Sequence, residues 1–210
     1  LQSIEKQFSA ILIKRFGFNK NKAIENIINW VKRVKLNNTS SILNRYPHQL
    51  SGGQMQRIMI AIALSVQPEL IIADEITTGL DANIKMEILN LLFSLQKDFG
   101  IAVLLISHDI ISIQKYCDKI AVLRRGRIID TGDTNKIINK PRDDYIKALT
   151  KTQTNLPVID TDDSLEQPDQ KIMQVRSLCK TYHTREEKVI ALNNVSFDIY
   201  KKETLGIIGE

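Results

Sequence analysis

The chain is organised around a stretch that runs from Tyr46 to Gln54 and reads Tyr-Pro-His-Gln-Leu-Ser-Gly-Gly-Gln. It leads into an apolar helical pattern that begins at Ile58. Ser51 is suited to cap that helix, and Gln54, three residues later, completes a capping box. The two glycines between them leave the first-turn N–H groups uncovered, so this helix start favours an anion such as phosphate. Taken alone, the same four residues also fit a well-capped surface helix.

Two short apolar runs further along the chain predict a pair of parallel strands. Leu70 to Ala73 follows Pro68 and suits a strand buried on both faces, and Ile101 to Ile106 suits a second buried strand. Between them, Asp81 is positioned to cap a helix that Gly100 ends. A strand, a helix and a strand of these lengths make a βαβ unit, whose two strands run parallel.

Four polar residues follow these two strands. Asp74 and Glu75 end the first strand, and Ser107 and His108 end the second. The carboxyl ends of parallel strands meet at one sheet edge, where a ligand crevice is expected. For an arbitrary Asp-Glu pair, a capping or loop role is the simpler interpretation.

The regions on either side of these motifs are predicted to form further helices, a hairpin and strands. Residues 1 to 15 predict one amphipathic helix that stops at Gly17, and a second helix carries the apolar stripe Ile24, Ile27, Ile28, Val31 and Val34. Arg124-Arg125-Gly126 predicts a hairpin turn, and Pro141 interrupts a last helical stretch that runs to about Leu149. Residues 151–170 have the composition of a linker, and strands are expected around Val175, Val195 to Ile199, and Leu205.

The composition is that of a globular protein with a core, since 43% of the 210 residues are hydrophobic. No apolar run approaches the ~20 residues of a membrane span. The net charge is +5, although residues 152 to 170 contain five acids and no Lys or Arg. A nucleic-acid or anionic-membrane surface is one explanation of the basic excess elsewhere, and scattered solvated lysines are the preferred one. Cys117 and Cys179 lack the spacing of a zinc site or a disulfide framework.

These motifs together resemble a known family. Leu50 to Gln54 is the LSGGQ signature of ABC ATPases, and the run from Tyr46 to Arg57 resembles the dipeptide and oligopeptide importer branch, which is of the peptide, nickel and glutathione type. The family's other motifs follow in order: a Walker B strand at Leu70 to Glu75, a D-loop at Thr78 to Asp81, and a switch histidine at His108.

The resemblance implies an α/β fold with a P-loop NTPase-type parallel sheet and an α-helical subdomain. Residues 1–150 would be the C-terminal part of a first ABC domain, with the helical subdomain at 1–65 and the catalytic core at 66–150. An acidic linker at 151–170 would precede the β-rich start of a second, fused ABC domain at 171–210. The chain would then be a fragment, and Gly209 would be the first glycine of a P-loop whose lysine lies beyond it.

The resemblance also implies a role for each motif residue, with ATP and Mg²⁺ as cofactors. Asp74 would hold Mg²⁺ through water, Glu75 would be the general base, and His108 would contact the γ-phosphate. Asp81 would link the two halves of a nucleotide sandwich, and Tyr182 would stack on adenine. The signature residues would clasp nucleotide held by the other domain; they are Leu50, Ser51, Gly52, Gly53 and Gln54.

The implied function is ATP hydrolysis coupled to uptake of peptides or similar solutes, at the cytoplasmic face of the inner membrane. The expected partners are membrane permease subunits, a solute-binding protein and the second ABC domain, with no nucleic acid. The alternative is an ABC ATPase of translation or DNA repair, and a regulatory domain without hydrolysis is a third possibility. The chain departs from the family at Ile76, where Pro is usual, and at Asp143 and Asp144, where His and Pro are usual. Without a P-loop lysine, the fragment alone is expected neither to bind ATP tightly nor to hydrolyse it.

Overall fold

The computed structural model describes residues 2–151, 170–183 and 188–208. Contacts divide the chain into two units. The first unit consists of Leu1–Pro68 with Ile76–Leu95, and the second consists of Glu69–Glu75 with Gln96–Glu210. Both the predicted linker and Gly209 fall largely or wholly outside the described residues.

The first unit is helical. Its elements are α1 (Ile4–Phe16), α2 (Lys20–Arg33), α3 (Thr39–Asn44), a 3-10 turn (Pro47–Gln49), α4 (Gly52–Ser65) and the part of α5 (Ala82–Phe99) that extends to Leu95. The predicted stop of α1 is confirmed, because Gly17 adopts φ 66°, a left-handed conformation that glycine accepts without strain. Asn19 caps α2 by accepting a hydrogen bond of 2.9 Å from the Lys22 amide.

The core of this unit lies where α2 packs against α1 and α4. Its fully buried side chains come from the apolar stripes that the sequence predicted, and they include Phe8, Leu12, Ile27, Val31, Ile58 and Leu64. Arg57 makes polar contacts in this core, since its guanidinium donates to the Val34 carbonyl at 3.1 Å and to the Glu87 carboxylate at 2.8 Å. These two hydrogen bonds link α4 to the end of α2 and to α5.

The second unit is built on a mixed sheet of five strands. These are β1 (Leu70–Asp74), β2 (Ala102–Ile106), β3 (Lys119–Arg124), β4 (Arg127–Asp133) and β7 (Thr204–Ile208), in the order β1-β2-β7-β3-β4. All neighbours are parallel except β3 and β4, which form the predicted hairpin. Two long strands, β5 (Lys171–His183) and β6 (Lys188–Tyr200), form a separate antiparallel pair. The helices are α6 (Ile110–Tyr116), α7 (Thr134–Asn139) and α8 (Asp144–Lys151).

The β3–β4 turn shows why its glycine is needed. Arg125 and Gly126 both have positive φ, 48° and 72°, as a two-residue type I′ turn requires. A Cβ on Gly126 would lie 2.5 Å from the Ala191 carbonyl oxygen of β6. The turn therefore also fixes the close approach of β6, whose Asn193 amide donates to the Gly126 carbonyl at 2.7 Å.

One prediction about burial is wrong. The β2 run is buried as expected, but β1 is an edge strand in the described sheet, and Ile72 is 56% exposed. An apolar run in sequence shows that a strand can be buried on both faces, but it does not show which strand lies at the edge of the sheet.

The last strand joins the sheet formed by the preceding residues, because β7 pairs with β2 and β3. Residues 171–210 were expected to begin a second ABC domain. The assignment of a second domain stays a prediction. No helix among the described residues is both long and apolar enough to cross a bilayer.

Two carboxyl groups lie beside β7, of which Glu203 is buried and Asp118 is exposed. The Asp118 carboxylate accepts a hydrogen bond of 3.1 Å from the Thr204 amide, and nearby Glu203 is buried and pairs with Lys119 Nζ at 2.5 Å. Partial desolvation raises the pKa of Asp118 above 3.8, the Thr204 hydrogen bond lowers it, and the Glu203 charge raises it further. The folded state therefore binds a proton at Asp118 more readily than the unfolded chain does.

We predict that Asp118 weakens the fold as the pH rises. Because its pKa is higher in the folded state, the free energy of unfolding falls as pH increases from about 4 through that raised value. Asp118→Asn should remove this dependence while its amide oxygen still accepts from Thr204. Urea unfolding between pH 4 and pH 7 measures the effect, and equal slopes for the two proteins would contradict it.

Asp198→Asn provides a control of opposite sign. Arg176 and Lys171 hold the pKa of Asp198 well below its usual range, so its contribution is present above the ordinary carboxyl pKa and is lost as pH falls. This variant should lose stability at pH 7 and approach the parent protein in acid.

Candidate functional site

The carboxyl edge of β1 and β2 has the arrangement that the sequence predicted. The two strands are parallel, and Asp74 is the register partner of Ile106. The Glu75 amide extends the pairing by donating to the Ile106 carbonyl at 3.0 Å. Glu75 itself has φ 47°, a left-handed conformation that costs a residue with a Cβ about 1–2 kcal/mol. Such strain is typical of functional positions.

Glu75 and His108 are in direct contact. Glu75 Oε1 accepts a hydrogen bond of 3.0 Å from the His108 backbone amide and lies 2.8 Å from His108 Nδ1. The His108 side chain is 73% exposed and that of Glu75 is 36% exposed. The pair therefore faces solvent, where a substrate can reach it. Sequence reasoning placed both residues at one edge, and their contact follows because each comes just after its strand.

The turn that presents His108 is held by its neighbours. Ser107 is buried, and its hydroxyl accepts from the Asp109 amide at 3.1 Å. Asp109 in turn caps α6 by accepting from the Ile111 amide at 3.2 Å, and its carboxylate lies 2.5 Å from the Ser112 hydroxyl. Sequence reasoning missed the role of Asp109, although an Asp just before a helical run is the usual signal for a cap.

Asp74 is the candidate magnesium ligand at this edge. Its side chain is exposed at the end of β1. The described residues contain no group of three or more His, Cys, Asp or Glu side chains that could hold a metal by themselves. Mg²⁺ is commonly bound by one or two carboxylates together with waters and substrate phosphates, so one exposed aspartate fits such a site.

The signature helix has the predicted capping box. Ser51 Oγ accepts from the Gln54 amide, and Gln54 Oε1 accepts from the Ser51 amide, each at 3.3 Å. Leu50, Ser51 and Gly52 precede or begin α4 at the surface of the first unit, and Ser51 and Gly52 are exposed. The first-turn amides thus lie at an accessible helix N-terminus, the arrangement that favours an anion.

The two signature glycines are closely packed within the first unit. A Cβ on Gly52 would lie 2.8 Å from Leu80 Cδ2, and a Cβ on Gly53 would lie 2.8 Å from Ile84 Cγ2. Leu80 belongs to the D-loop, and Ile84 is in the first turn of α5. Asp81 caps α5 as predicted, because its Oδ1 accepts from the Asn83 and Ile84 amides at 3.1 and 3.0 Å. Sequence reasoning did not anticipate this contact between signature and D-loop.

Tyr182 lies near the end of β5, and it is 56% exposed. Lys180 Nζ lies 5.0 Å from the centre of its ring, within cation–π distance. The exposed ring is available for stacking, and its role towards adenine stays a prediction. Gly209 lies outside the described residues.

Solved structures share this fold. CbiO1 from Clostridium perfringens, part of the ABC transporter complex CbiONQ, matches with a TM-score of 0.58 and 28% identity over 71% of this chain and 61% of that one. The dimeric structure of MJ0796, a bacterial ABC transporter cassette, matches with a TM-score of 0.56 and 28% identity over 64% and 57%. The fold is therefore that of a P-loop NTPase-type α/β protein of the ABC ATPase class.

Sequence comparisons lead to the same family. Residues 2–78 match the ABC transporter family model. Over the whole chain, an uncharacterized ABC transporter ATP-binding protein YejF of Escherichia coli K12 is 32% identical, and the chain covers 40% of it. The glutathione import ATP-binding protein GsiA of the same strain is 35% identical over 85% of this chain and 33% of its own length. The chain is thus similar to ABC transporter ATP-binding proteins, and it spans about two fifths or less of the length of these relatives.

We predict that Gly53→Ala destabilises the first unit. Its Cβ would overlap Ile84 Cγ2, and overpacking of this kind costs about 1–3 kcal/mol. Urea unfolding measures the loss. Ile84→Ala removes the opposing atom, so the double variant should recover part of the loss caused by Gly53→Ala; strictly additive effects would show that the clash is not the cause.

We predict that Glu75→Gly is more stable than Glu75→Ala by about 1 kcal/mol, because glycine adopts positive φ without strain. Both variants lack the carboxylate, so the comparison isolates the backbone. Glu69, which precedes β1 and does not have positive φ, is the matched control, and there the alanine variant should be the more stable. Equal unfolding free energies for the two Glu75 variants would argue against strain at this position.

Proposed function

We propose that this chain is part of the ATP-binding and ATP-hydrolysing subunit of an ABC importer that takes up peptides or similar small solutes. The observation that supports it is the contact of Glu75 with His108 at the carboxyl edge of parallel strands, beside the exposed Asp74. A base, a phosphate-contacting group and a magnesium ligand are the residue types that phosphoryl transfer to water needs.

In this proposal, Glu75 accepts the proton of the attacking water. His108 holds Glu75 Oε1 through two hydrogen-bond donors, its backbone amide and its ring, and so orients the carboxylate. The exposed His108 ring can also contact the γ-phosphate of bound ATP, because the contact of Nδ1 with Glu75 fixes the orientation of the ring. Asp74 would hold Mg²⁺ through water, and the ion would neutralise charge on the phosphates.

The signature segment would bind a second nucleotide, one held by a partner ABC domain. The uncovered amides at the start of α4 favour a phosphate, and Leu80 and Ile84 pack closely against the two glycines. Leu50 to Gln54 would clasp nucleotide on a partner ABC domain, and Asp81 would link the two halves. Closing on ATP and opening after hydrolysis then provides two states whose balance the nucleotide sets.

The wider assignment follows from the relatives. The named activity of one relative is glutathione import, and a solved relative is part of a transporter complex. By analogy, we propose permease subunits and a solute-binding protein as partners, a peripheral location at the cytoplasmic face of the membrane, and a longer polypeptide with two fused ABC domains. Ile11, Ile13, Phe16 and Met59 are exposed apolar residues of the helical unit, and they are candidates for contact with a permease.

The test is uptake of labelled short peptides by cells that carry the intact parent polypeptide with Glu75→Gln. We expect uptake and ATP hydrolysis to fall about 10²–10⁴-fold, the usual contribution of a general base, while protein level and membrane association are unchanged. Glu69→Gln is the matched control, because it makes the same change at the opposite end of β1, and it should leave both activities intact.

The outcomes separate the parts of the proposal. Unchanged ATP hydrolysis in Glu75→Gln would overturn the catalytic assignment. A loss of hydrolysis in a protein that never takes up peptides would retain the ATPase and reject the substrate class. Salt-sensitive binding of bulk RNA by the purified parent polypeptide would favour the nucleic-acid-linked alternative.

A further inference from the structure

The turn that joins α1 to α2 carries two aromatic side chains at the surface of the first unit. Phe16 ends α1, and Phe18 follows it after Gly17, whose left-handed conformation makes the turn. The two rings stack with their centroids 5.2 Å apart and an angle of 22° between their planes. Phe16 is 37% exposed, and Ile13, its neighbour one turn earlier on α1, is 42% exposed. Apolar side chains are therefore grouped at this turn and in contact with water.

Positive charge surrounds the Phe16–Phe18 turn. No Asp or Glu occurs between Glu5 and Glu25. Four exposed cations lie within five residues of Gly17, and they are Lys14, Arg15, Lys20 and Lys22. In the part of the chain that the structure describes, none of the four forms an ion pair with a carboxylate. Lys22 Nζ lies 4.7 Å from the centre of the Phe18 ring, within cation–π distance.

Two of these cations occupy positions that the helix itself disfavours. Lys20 and Lys22 lie in the first turn of α2, which contains no acidic residue. The dipole of a helix makes its N-terminus positive, so a cation there opposes the helix and an acid supports it. Lys14 and Arg15, in contrast, complement the dipole in the last turn of α1. Helix stability therefore does not explain Lys20 and Lys22, and a negatively charged partner would offset their repulsion from the helix.

We propose that the Phe16–Phe18 turn binds directly to the surface of an anionic lipid bilayer. Its cations attract the phosphates of the headgroups, and Ile13 and the exposed ring of Phe16 enter the boundary between headgroups and acyl chains. The apolar side chains favour a bilayer over a nucleic acid, because an isoleucine gains nothing from a phosphate backbone. This contact goes beyond the proposed function, since it requires neither ATP nor a permease.

Flotation of the purified 210-residue chain with vesicles that contain no permease tests the proposal. We expect vesicles of phosphatidylglycerol and phosphatidylcholine in equal parts to bind at least about 100-fold more tightly than phosphatidylcholine alone, because each cation near an anionic surface contributes about fivefold. High salt should weaken this binding. Equal binding to the two kinds of vesicle would overturn the proposal and leave a permease as the candidate partner of Phe16.

Two variants with the same change of charge show whether the turn itself is responsible. Lys22→Glu should weaken vesicle binding about 25-fold, because repulsion replaces attraction, and it should not lower stability in urea, because a glutamate suits the start of a helix. Lys136→Glu is the matched control. Lys136 is exposed in the second unit, and its amide donates to the cap Asp133 of α7 as the Lys22 amide donates to Asn19. This control should bind within about twofold of the parent protein, and equal losses in the two variants would overturn the assignment.

A tryptophan substitution measures insertion of the aromatic side chain. Trp30 is the only tryptophan of the chain and is buried, so its emission should be insensitive to lipids with brominated acyl chains. Phe16→Trp should add emission that these lipids quench when the protein is bound to vesicles. Absence of quenching would overturn the insertion. Binding of bulk RNA that Lys22→Glu abolishes, without vesicle binding by the parent protein, would assign the turn to nucleic acid and overturn the lipid contact. None of these readouts involves ATP or transport, so failure here is distinguishable from failure of the proposed function.

Discussion

The parallel pairing of β1 with β2 is the constraint on which the candidate active edge depends. Because Asp74 is level with Ile106, the next residue of each strand emerges at the same height, and the Glu75 amide still pairs with the Ile106 carbonyl. His108, two residues beyond Ile106, turns back so that its amide and ring both meet Glu75 Oε1. A shift of this register by one residue would separate the carboxylate from the imidazole. The contact of the carboxylate with the imidazole is thus a consequence of backbone pairing, and the left-handed conformation of Glu75 is the strain that accompanies it.

A different constraint, close packing, organises the signature segment. The capping box orients the start of α4, but the absence of two side chains allows Leu80 and Ile84 to approach it. The glycines therefore have two uses at once. They leave amides uncovered for an anion, and they bring the D-loop against the signature within one unit. A substitution at either glycine would affect the fold and the proposed nucleotide contact together.

Around the central strand β7, charged groups that oppose folding lie beside apolar contacts that favour it. Two carboxyl groups lie beside it: Glu203 is buried, and Asp118 is exposed but partly desolvated. Removal of charge from water opposes folding unless the groups are paired. The Lys119 ammonium and the Thr204 amide offset that cost, and the buried contacts of Leu205 stabilise the strand. Specific polar partners at the entrance of β7 also favour one register over the others.

The sequence by itself determined the local elements of the βαβ unit and the positions of its candidate site residues. Capping residues, helix stops and apolar periodicity act over a few residues, so Ser51, Gly17, Asp81 and the hairpin turn could be predicted, as could the shared edge of Asp74, Glu75 and His108. Only the tertiary structure decided which strands neighbour each other. It placed β1 at the edge, so Ile72 is exposed, and it placed β7 between β2 and β3, because strand order depends on packing between residues far apart in sequence, which no local pattern encodes. For the same reason, the contacts of Gly52 with Leu80 and of Gly206 with Cys117 could be found only in the folded chain.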